Sequence, residues 1–567
     1  MPALVVPGVR VDTIFDVLPP LPALSGIVGV VGAVDRPPAV GQLTGVSKVS
    51  ELGQLLGPGS LYSLKEGVHA LHNGASEAVI SAVAGGSPAN HDLLNQNANP
   101  AARLRCRFNR NWGTGGLAVN IKSILNAAGV AARVTVELIV DRIVVETHAD
   151  LRVSPGSVDD LFNVINRRSR LVVAIDPNFD GDRPEAGTNL FATPAVPMAV
   201  LESGTSNTML EILPADGADV DGFSVIIALE TGNTFSITIF DGGALLEEYT
   251  GLTTNPDSDN YLPYVLQTQS ELIRVRAVSS LPIGEQLPVA TNGPIVFTSQ
   301  GTSPSVADYQ TAIDLMAEDK RIDLVIAAIE PNRADADVHQ IHQALTAHAV
   351  RLADDGAPRI AFGSVTANEA DNLELVKDHS AAARNRRFVL VTPAGAEGAV
   401  AGMIGRMNPQ DSPTFKPAPL HGISPSSYRE SQLNRLLGKT TNALVVQDRS
   451  GRGVIVLRGL DTTGDQISVT RVADQAIRET KAISENFIGQ LNSKDARIAL
   501  KQQLIATFTR MQRAGAIVPS TDGTDSAFFV DVYSTQTDFA QGIVRIDIAV
   551  RPVRAIDYIY ATIRVKN

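Results

Sequence analysis

The sequence predicts a multidomain protein of mixed α/β and α+β class. The chain has 567 residues, which at roughly 150 residues a domain corresponds to about four units. Hydrophobic residues make up 44% of it, enough for packed cores, so a globally disordered chain is excluded. Helical and strand patterns alternate in two stretches, and a strand-rich stretch separates them. These observations predict a discontinuous α/β domain interrupted by a β-rich insertion, then a C-terminal α+β domain, with extended arms at both ends.

The charge balance argues against two classes of partner. Lys and Arg number 48 against 60 Asp and Glu, which gives a net charge of −12. An acidic chain lacks the basic face that nucleic acid binding needs, and it is not attracted to anionic lipid. Aromatic residues make up only 5%, with a single tryptophan, which argues against a platform for stacking bases or sugars. We therefore expect no nucleic acid partner.

Cysteine usage and the N-terminal segment indicate a cytoplasmic protein. Cys106 is the single cysteine, so no intramolecular disulfide can form, which fits a reducing compartment. The first residues carry no basic segment ahead of an apolar stretch, unlike a secretory signal. The apolar run at 26–34 is about half of the ~20 residues that cross a bilayer. No direct membrane insertion is therefore expected.

Residues 1–22 predict an extended N-terminal arm. Prolines oppose a helix there, and Val9 and Val11 alternate with charged neighbours before Ile14, as in a strand. No hairpin partner lies nearby in the sequence, and an unpaired apolar strand is unfavourable unless another strand completes it. The arm is therefore expected to pair with a sheet edge, either in its own chain or in a neighbouring subunit.

Residues 23–95 and 296–404 together predict the discontinuous α/β domain. The continuous apolar run at 26–34 indicates a buried strand, helical spacing follows over 47–56 and 60–72, and a second buried strand is expected at 77–84. The second stretch shows the same rhythm, with predicted helices at 305–318 and 338–352 and predicted strands at 322–329, 359–362 and 387–391.

The two remaining parts differ in composition. Residues 96–295 predict a β-rich insertion, because short alternating runs are separated by clusters of Asp, Asn, Gly and Pro. Residues 405–567 predict the C-terminal domain, with two amphipathic helices followed by three strands. The last strand alternates Ile559, Ile563 and Val565 with polar residues and runs almost to the last residue. It too is expected to reach outward as an arm.

Glycine motifs for cofactor binding are weak. Gly26, Gly29 and Gly32 are spaced almost as in a dinucleotide fingerprint, but they lie inside the apolar run, with no acidic residue placed for a ribose, so a buried strand is favoured. A phosphate loop ending at Lys439 is rejected, because Leu433 stands where its first glycine should be. We therefore assign no cofactor and no catalytic residue.

A short acidic loop has the spacing of calcium ligands. Asp176, Asn178 and Asp180 match the first half of such a loop, but the twelfth position holds Gly187 in place of the bidentate carboxylate. A surface turn is therefore favoured, with weak cation binding as the alternative.

Asp335, His339 and His342 share one face of a predicted helix, where they could offer zinc ligands. No fourth ligand is identifiable, and His348 falls on a different face. A solvated helix face is the simpler interpretation. We therefore assign no metal.

Several stretches occur in an order that is typical of one known family. An opening strand at 26–33 and an Asn-Gly turn at 71–75 precede Trp112, and the C-terminal part has two helices, the second ending at Gly515, before paired strands joined to Pro552. Together they resemble the tail sheath proteins of contractile phages and of phage-like contractile injection systems. Where many family members carry a WGaRT segment, this chain keeps the glycine and threonine but lacks the tryptophan and arginine.

The resemblance implies a structural subunit of a contractile sheath, not an enzyme. Such subunits would form a helical stack of sixfold rings around an inner tube protein, with baseplate and terminal cap proteins as further partners. Contraction would drive the tube through a target envelope. The C-terminal domain would face the tube, the insertion would point outward, and both arms would exchange strands with neighbouring subunits. Assembly in the bacterial cytoplasm would yield a phage tail or a phage-tail-like particle.

Charged residues on the first C-terminal helix are candidates for contacts with the inner tube, with a solvated face as an equal alternative: Arg471, Arg478, Lys481 and Glu485. Two other functions stay open at this stage, an α/β enzyme of unknown substrate and a binding module carried on the 96–295 insertion. An enzyme should show a saturable pocket, and a binding module should keep its activity when the insertion is expressed alone.

Overall fold

A computed structural model describes most of the chain between residues 26 and 557. The described residues are 26–39, 41–125, 131–152, 159–175, 187–190, 199–202, 208–214, 223–232, 234–241, 243–255, 258, 260–277, 288 and 290–557. The predicted arms with Val9, Val11, Ile14, Ile559, Ile563 and Val565 lie outside the described residues, as does the acidic loop of Asp176, Asn178 and Asp180.

The first part of the chain alternates strands and helices. Its elements are β1 (Ile27–Gly32), β2 (Thr44–Val46), α1 (Val49–Leu56), α2 (Ser60–Ser63), α3 (Lys65–His72) and β3 (Glu77–Ala82). Every residue of β1 is buried, as a continuous apolar run requires when helices cover both faces of a sheet. Helix α1 ends at Gly57, whose φ of 83° suits glycine. Pro58 follows directly.

In its described residues, the middle of the chain forms four antiparallel sheets that are separate from β1–β3. Its elements are β4 (Asn90–Leu94), β5 (Pro100–Cys106), β6 (Leu117–Leu125), β7 (Ala131–Val140), β8 (Ile143–Leu151), α4 (Leu161–Arg168), β9 (Val172–Ile175), β10 (Gly187–Leu190), β11 (Ala199–Glu202), β12 (Thr208–Pro214), β13 (Phe223–Leu229), β14 (Phe235–Asp241), β15 (Ala244–Leu252), α5 (Leu262–Gln269), β16 (Ile273–Ala277) and β17 (Ile295–Val296). The strands enclose two hydrophobic cores, one around Leu104 and Trp112 and the other around Val225 and Ile237.

The alternation of helices and strands then resumes. Its elements are α6 (Val306–Leu315), β18 (Leu324–Ala327), α7 (Asp335–Asp354), β19 (Ile360–Ser364), α8 (Leu373–Ala382), β20 (Phe388–Thr392), α9 (Glu397–Gly405), α10 (Glu430–Leu436), β21 (Leu444–Arg449) and β22 (Gly453–Val456). These strands join the first three in one eight-stranded sheet of order β2-β3-β1-β18-β19-β20-β21-β22. The six inner strands are parallel, and β2 and β22 are antiparallel edges.

The sheet extends past the domain end that the sequence analysis places at residue 404. Strand β21 pairs in parallel with β20 through Val391 and Leu444, and β22 continues the sheet. The apolar run 443–446 is fully buried, which requires a covered position inside a sheet rather than a place in a separate unit. The C-terminal unit therefore begins after β22.

The C-terminal unit packs two long helices against a hairpin. Its elements are α11 (Ile467–Glu485), α12 (Lys494–Arg513), β23 (Phe528–Tyr533), α13 (Gln536–Ala540) and β24 (Arg545–Val550). Val472 of α11 and Phe508 of α12 are fully buried in a core that also contains Ile517 and Val530. The Phe508 ring lies 5.7 Å from that of Phe528 between ring centres. The amphipathic pattern of both helices accounts for this core.

The predicted mixture of helices and strands in several sheets is confirmed. A buried ion pair joins the middle part to the large sheet, with Arg107 Nη1 lying 3.3 Å from the Asp35 carboxylate and both side chains 1% exposed or less. Among the described residues, no helix is both long enough and apolar enough to cross a membrane.

Candidate functional sites

The hairpin β23–β24 is a candidate assembly surface. Its two strands pair from Phe528 opposite Val550 to Tyr533 opposite Arg545, and within the described residues they form a sheet of two strands only. Two strands are marginal in water without further strands or a covering face. Helix α12 covers one face, yet the residues of β24 on that face are only half-buried. Further strands would therefore stabilise this sheet.

Exposed apolar side chains are numerous in the same unit. Ile488 and Leu491, in the connection between α11 and α12, are 82% and 86% exposed, and Phe529 on the outer face of β23 is 57% exposed. Further exposed apolar side chains of this unit are Ile477, Ile498, Ile505, Phe539, Ile543 and Ile556. Exposed apolar surface of this kind is typical of protein–protein contact.

Helix α11 lies across the amino edge of the eight-stranded sheet and is held there by charges. The Arg478 guanidinium pairs with Asp323, just ahead of β18, and donates to the Ile322 carbonyl at 3.0 Å. Arg387, just ahead of β20, pairs with Asp474 of α11 at 2.8 Å. We call these two ion pairs the α11 seam. They join the C-terminal unit to the α/β domain.

The carboxylates of the α11 seam are costly to leave unpaired. Burial raises the pKa of Asp323, and the Arg478 charge opposes that rise. Burial likewise raises the pKa of Asp474, and the hydrogen bonds and charge of Arg387 oppose it. Each arginine therefore compensates a carboxylate that water does not reach freely.

The four candidates for tube contact take different positions. Arg471 is buried and donates to the Met407 and Asn408 carbonyls at 3.0 and 3.2 Å, and burial lowers its pKa to about 10. Arg478 belongs to the α11 seam, and Lys481 Nζ donates to the Asp355 carbonyl at 3.0 Å. Glu485 is exposed. A tube-facing role for these residues stays a prediction, and three of them already contact the α/β domain.

A cleft of about 460 Å³ opens at the opposite, carboxyl edge of the sheet. The segments that follow β18, β19 and β20 line it, together with α3 and the start of α9. Glu66, Glu330 and Glu397 are its acidic residues, and His69, His342 and His421 also line it. Within the described part of the chain, Glu397 Oε2 and His69 Nδ1 are buried without a hydrogen-bond partner. The carboxyl edge is where open parallel sheets bind ligands.

Two carboxyls of the cleft, Glu66 and Glu397, have pKa values far above their usual range. Burial and the neighbouring Glu397 charge raise the pKa of Glu66 to about 8. Burial raises the pKa of Glu397 to about 7. Near neutral pH the pair therefore retains a proton, so it can both donate and accept hydrogen bonds.

Glycines bring the helices of these carboxyls together. A Cβ at Gly398 would lie 2.0 Å from the Glu66 carbonyl oxygen, and one at Gly402 would lie 2.1 Å from that of Ala70. Only glycine permits this approach of α9 to α3. Two glycines four residues apart, Gly398 and Gly402, are the sequence signal for a close helix–helix contact at the cleft. The patterns used to predict helices and strands do not include this signal.

The face of α7 that carries Asp335, His339 and His342 is not solvated. His342 is 1% exposed, because α8 and the segment ahead of it cover this face. The interpretation as a solvated helix face is therefore wrong. Glu369 and His379 from the covering segment meet the α7 histidines.

The contacts of this histidine cluster form a chain. His339 Nε2 donates to Glu369 Oε1 at 2.6 Å, His379 Nδ1 donates to Glu369 Oε2 at 2.9 Å, and His342 Nδ1 lies 2.9 Å from His379 Nε2. Burial opposes ionisation of Glu369, but hydrogen bonds from the two histidines hold its pKa below the usual range. Burial lowers the pKa of His379, and its hydrogen bond to Glu369 opposes that change.

The hairpin and the two helices before it form one packed unit. A family model described as phage tail sheath C-terminal domain matches residues 461–566. Residues 461–566 are therefore similar to the C-terminal domain of phage tail sheath proteins, and the predicted resemblance to these proteins is confirmed. A search of curated protein sequences finds no relative of this chain.

Solved structures of sheath proteins are similar to the whole chain or to part of it. A sheath tail protein from Listeria innocua is 10% identical, with 94% of this chain and 92% of that chain covered and a TM-score of 0.45. For one from Desulfitobacterium hafniense, the identity is 13%, the coverage 97% of both chains and the TM-score 0.43. The helical sheath of the anti-feeding prophage in its contracted state is 18% identical over 45% of this chain and 74% of that chain, with a TM-score of 0.35. These scores lie below 0.5, so the assignment depends on the family match.

We predict that Arg387→Ala destabilises the chain, because it leaves the buried Asp474 carboxylate unpaired. The loss should be about 1–3 kcal/mol in the free energy of unfolding. The neighbouring Arg386 is a matched control, since its side chain is 73% exposed and its nearest carboxylate is 4.0 Å away. Arg386→Ala should cost at most about 0.5 kcal/mol. Chemical denaturation of both variants tests the α11 seam, and equal losses would contradict its role.

The carboxyl pair of the cleft should make stability depend on pH. Both groups bind their protons more tightly in the folded chain than in the unfolded one, so the folded chain carries more protons from about pH 4.3 up to about pH 8. The free energy of unfolding must therefore fall as pH rises through this window. We expect a fall of roughly 1 kcal/mol between pH 7 and pH 9, above the range in which unfolded histidine titrates.

Glu397→Gln should flatten this fall, because the amide cannot ionise and no longer repels Glu66. The variant should be more stable than the unchanged chain at pH 9. Glu430→Gln is the control, since Glu430 is an exposed acid on α10, and it should keep the original pH profile. Thermal unfolding at half-unit pH intervals measures both, and identical profiles for the two variants would refute the assignment.

Proposed function

We propose that this chain is a structural subunit of a contractile sheath, which polymerises around an inner tube and contracts to drive that tube through a target envelope. The observation that carries the proposal is the family match over 461–566, which spans α11, α12 and the hairpin. In this proposal the chain is not an enzyme. It is a component of a phage tail or phage-tail-like particle that assembles in the bacterial cytoplasm.

Strand exchange at the hairpin is the proposed link between subunits. The hairpin is a sheet of two strands within the described residues, and an apolar segment with strand alternation lies near each end of the sequence. Strands added from neighbouring subunits would satisfy the backbone groups at both edges. Links of this kind hold through main-chain hydrogen bonds, so they can persist while subunits rotate against one another.

The proposed driving force for contraction is burial of apolar surface between subunits. Side chains such as Ile488, Leu491 and Phe529 are more than half exposed in the single chain. Their burial on compaction would contribute ~25 cal/mol for each Å² removed from water. Summed over many subunits, a few kcal/mol each would suffice to drive a tube forward. The sheath would therefore assemble in an extended state of higher free energy.

The proposed arrangement places the C-terminal unit against the inner tube and the 96–295 insertion outward. The C-terminal unit and the insertion contact different parts of the α/β domain, the former at the amino edge of the sheet and the latter through Arg107 and Asp35. Baseplate, terminal cap and inner tube proteins would be the partners beyond the subunit itself.

The purified chain, expressed alone, should form hollow helical tubes wide enough to hold an inner tube. Negative-stain electron microscopy is the measurement, because an enzyme or a binding module has no reason to polymerise. If only monomers or small rings appear, co-expression with the inner tube protein tests whether assembly needs a template. Absence of tubes in both experiments would contradict the sheath function and reopen the two alternatives.

The double substitution Val9→Pro and Val11→Pro should abolish tubes and leave a folded monomer. Proline removes the N–H that a ladder needs and fixes φ, so the N-terminal segment could no longer pair as a strand. Val9→Ala with Val11→Ala is the matched control, because it shortens the same side chains and keeps both N–H groups. Circular dichroism verifies folding, and size-exclusion chromatography with electron microscopy measures assembly. Normal tubes from the proline variant would refute strand exchange by this arm.

A further inference from the structure

The histidine cluster of the α/β domain has the donor set of a metal site. His339 of α7, Glu369 of the segment ahead of α8 and His379 of α8 each offer one ligand atom, and these atoms all lie within 4.8 Å of one another. The His339 and His379 rings are 4.0 Å apart between their centres. Two imidazole nitrogens and one carboxylate are a donor set that zinc takes in proteins.

We propose that His339, Glu369 and His379 bind one divalent transition-metal ion, with zinc as the best match. Zinc bonds of about 2.0–2.2 Å in a tetrahedron place ligand atoms about 3.3 Å apart. The two histidine nitrogens lie 2.6 and 2.9 Å from the Glu369 oxygens they contact. Small side-chain shifts would bring these atoms to zinc-binding distances. Each ring would then carry its proton on the other nitrogen, so that the lone pair of the nitrogen that now donates to Glu369 faces the ion.

The surroundings of the ligands favour such an ion. His379 Nε2 lies 2.9 Å from His342 Nδ1, so a second side chain orients the ring and fixes which nitrogen faces Glu369. The Thr366 backbone N–H donates to Glu369 Oε2 at 2.9 Å and fixes the carboxylate. Partners of this kind are typical behind the ligands of a metal ion, and they set ligand geometry.

The charged groups around the three ligands also favour a divalent ion. Asp335 begins the helix that carries His339, and its two carboxylate oxygens accept from Thr366 at 2.8 Å and Asn368 at 2.7 Å. The site thus combines two imidazole ligands with two nearby carboxylates, whose charges would together balance a divalent ion. Glu369 and His379 are fully buried, whereas the His339 side chain is 24% exposed. An ion can therefore enter past His339, and a water molecule can complete its coordination.

The bound ion would join α7 to α8, two helices that cover the same face of the sheet. The proposed metal site is independent of the proposed sheath function, because its ligands all lie inside the α/β domain of one chain and require no other subunit. A protein that forms tubes without zinc, or binds zinc without forming tubes, would separate the two proposals.

The test is zinc binding by the full-length chain at pH 7. Isothermal titration after removal of metal with a chelator should give one zinc ion per chain. His339→Ala should weaken binding by at least roughly 100-fold, since changes even behind the ligands cost about 10–100-fold. His72→Ala is the matched control, because His72 is an exposed histidine outside the cluster, and it should bind as the unchanged chain does.

A spectroscopic measurement keeps the test decisive if a variant fails to fold. Cobalt(II) added to the unchanged chain should give the visible absorption of a low-coordinate site with nitrogen and oxygen ligands, and zinc should displace it. Glu369→Gln retains the size of the side chain and removes its charge, so it should lose that absorption. Absence of stoichiometric zinc binding in the unchanged chain, or equal binding by the His339→Ala and His72→Ala variants, would overturn the proposal.

Discussion

The arrangement of the whole molecule depends on the α11 seam. Two arginine–carboxylate pairs hold α11 against the amino ends of the parallel strands. In one pair α11 supplies the arginine, and in the other it supplies the carboxylate. Burial disfavours the charged form of both carboxylates. Removal of either arginine would therefore leave a buried charge without a partner, which is costly. Because α11 also forms the core with α12 and the hairpin, the seam sets the position of the open sheet edges relative to the large sheet.

The two edges of the eight-stranded sheet have different surroundings. The amino edge is covered by α11, whereas the carboxyl edge is left open as the cleft with Glu66 and Glu397. An open parallel sheet directs its loops and helix N-termini to the carboxyl edge, which explains why polar and titratable side chains gather there. The C-terminal unit contacts the opposite, amino edge through the two ion pairs of α11.

Continuous apolar runs explain why much of the large sheet was predictable. Strands β1, β18, β19 and β20 lie within about two residues of the predicted positions, because each is buried on both faces. Helix α9 was missed for the opposite reason. It is buried all round and consists largely of small residues, so it has no polar face to give a helical period. Helix α8 was missed because its buried face includes His379 and Ser380, which do not count as apolar in a pattern.

The sequence by itself determined the fold class, the strand-rich interruption and the likeness of the last part to sheath proteins, because these depend on periodicity, composition and order along the chain. The tertiary structure alone decided which charged residues meet. Arg387 and Asp474 are 87 positions apart, and His339 and Glu369 are 30 apart. Local patterns cannot show such pairs, since burial by distant segments gives an ionisable side chain its partner and its altered pKa. The α11 seam, the carboxyl pair of the cleft and the histidine cluster all arise in this way.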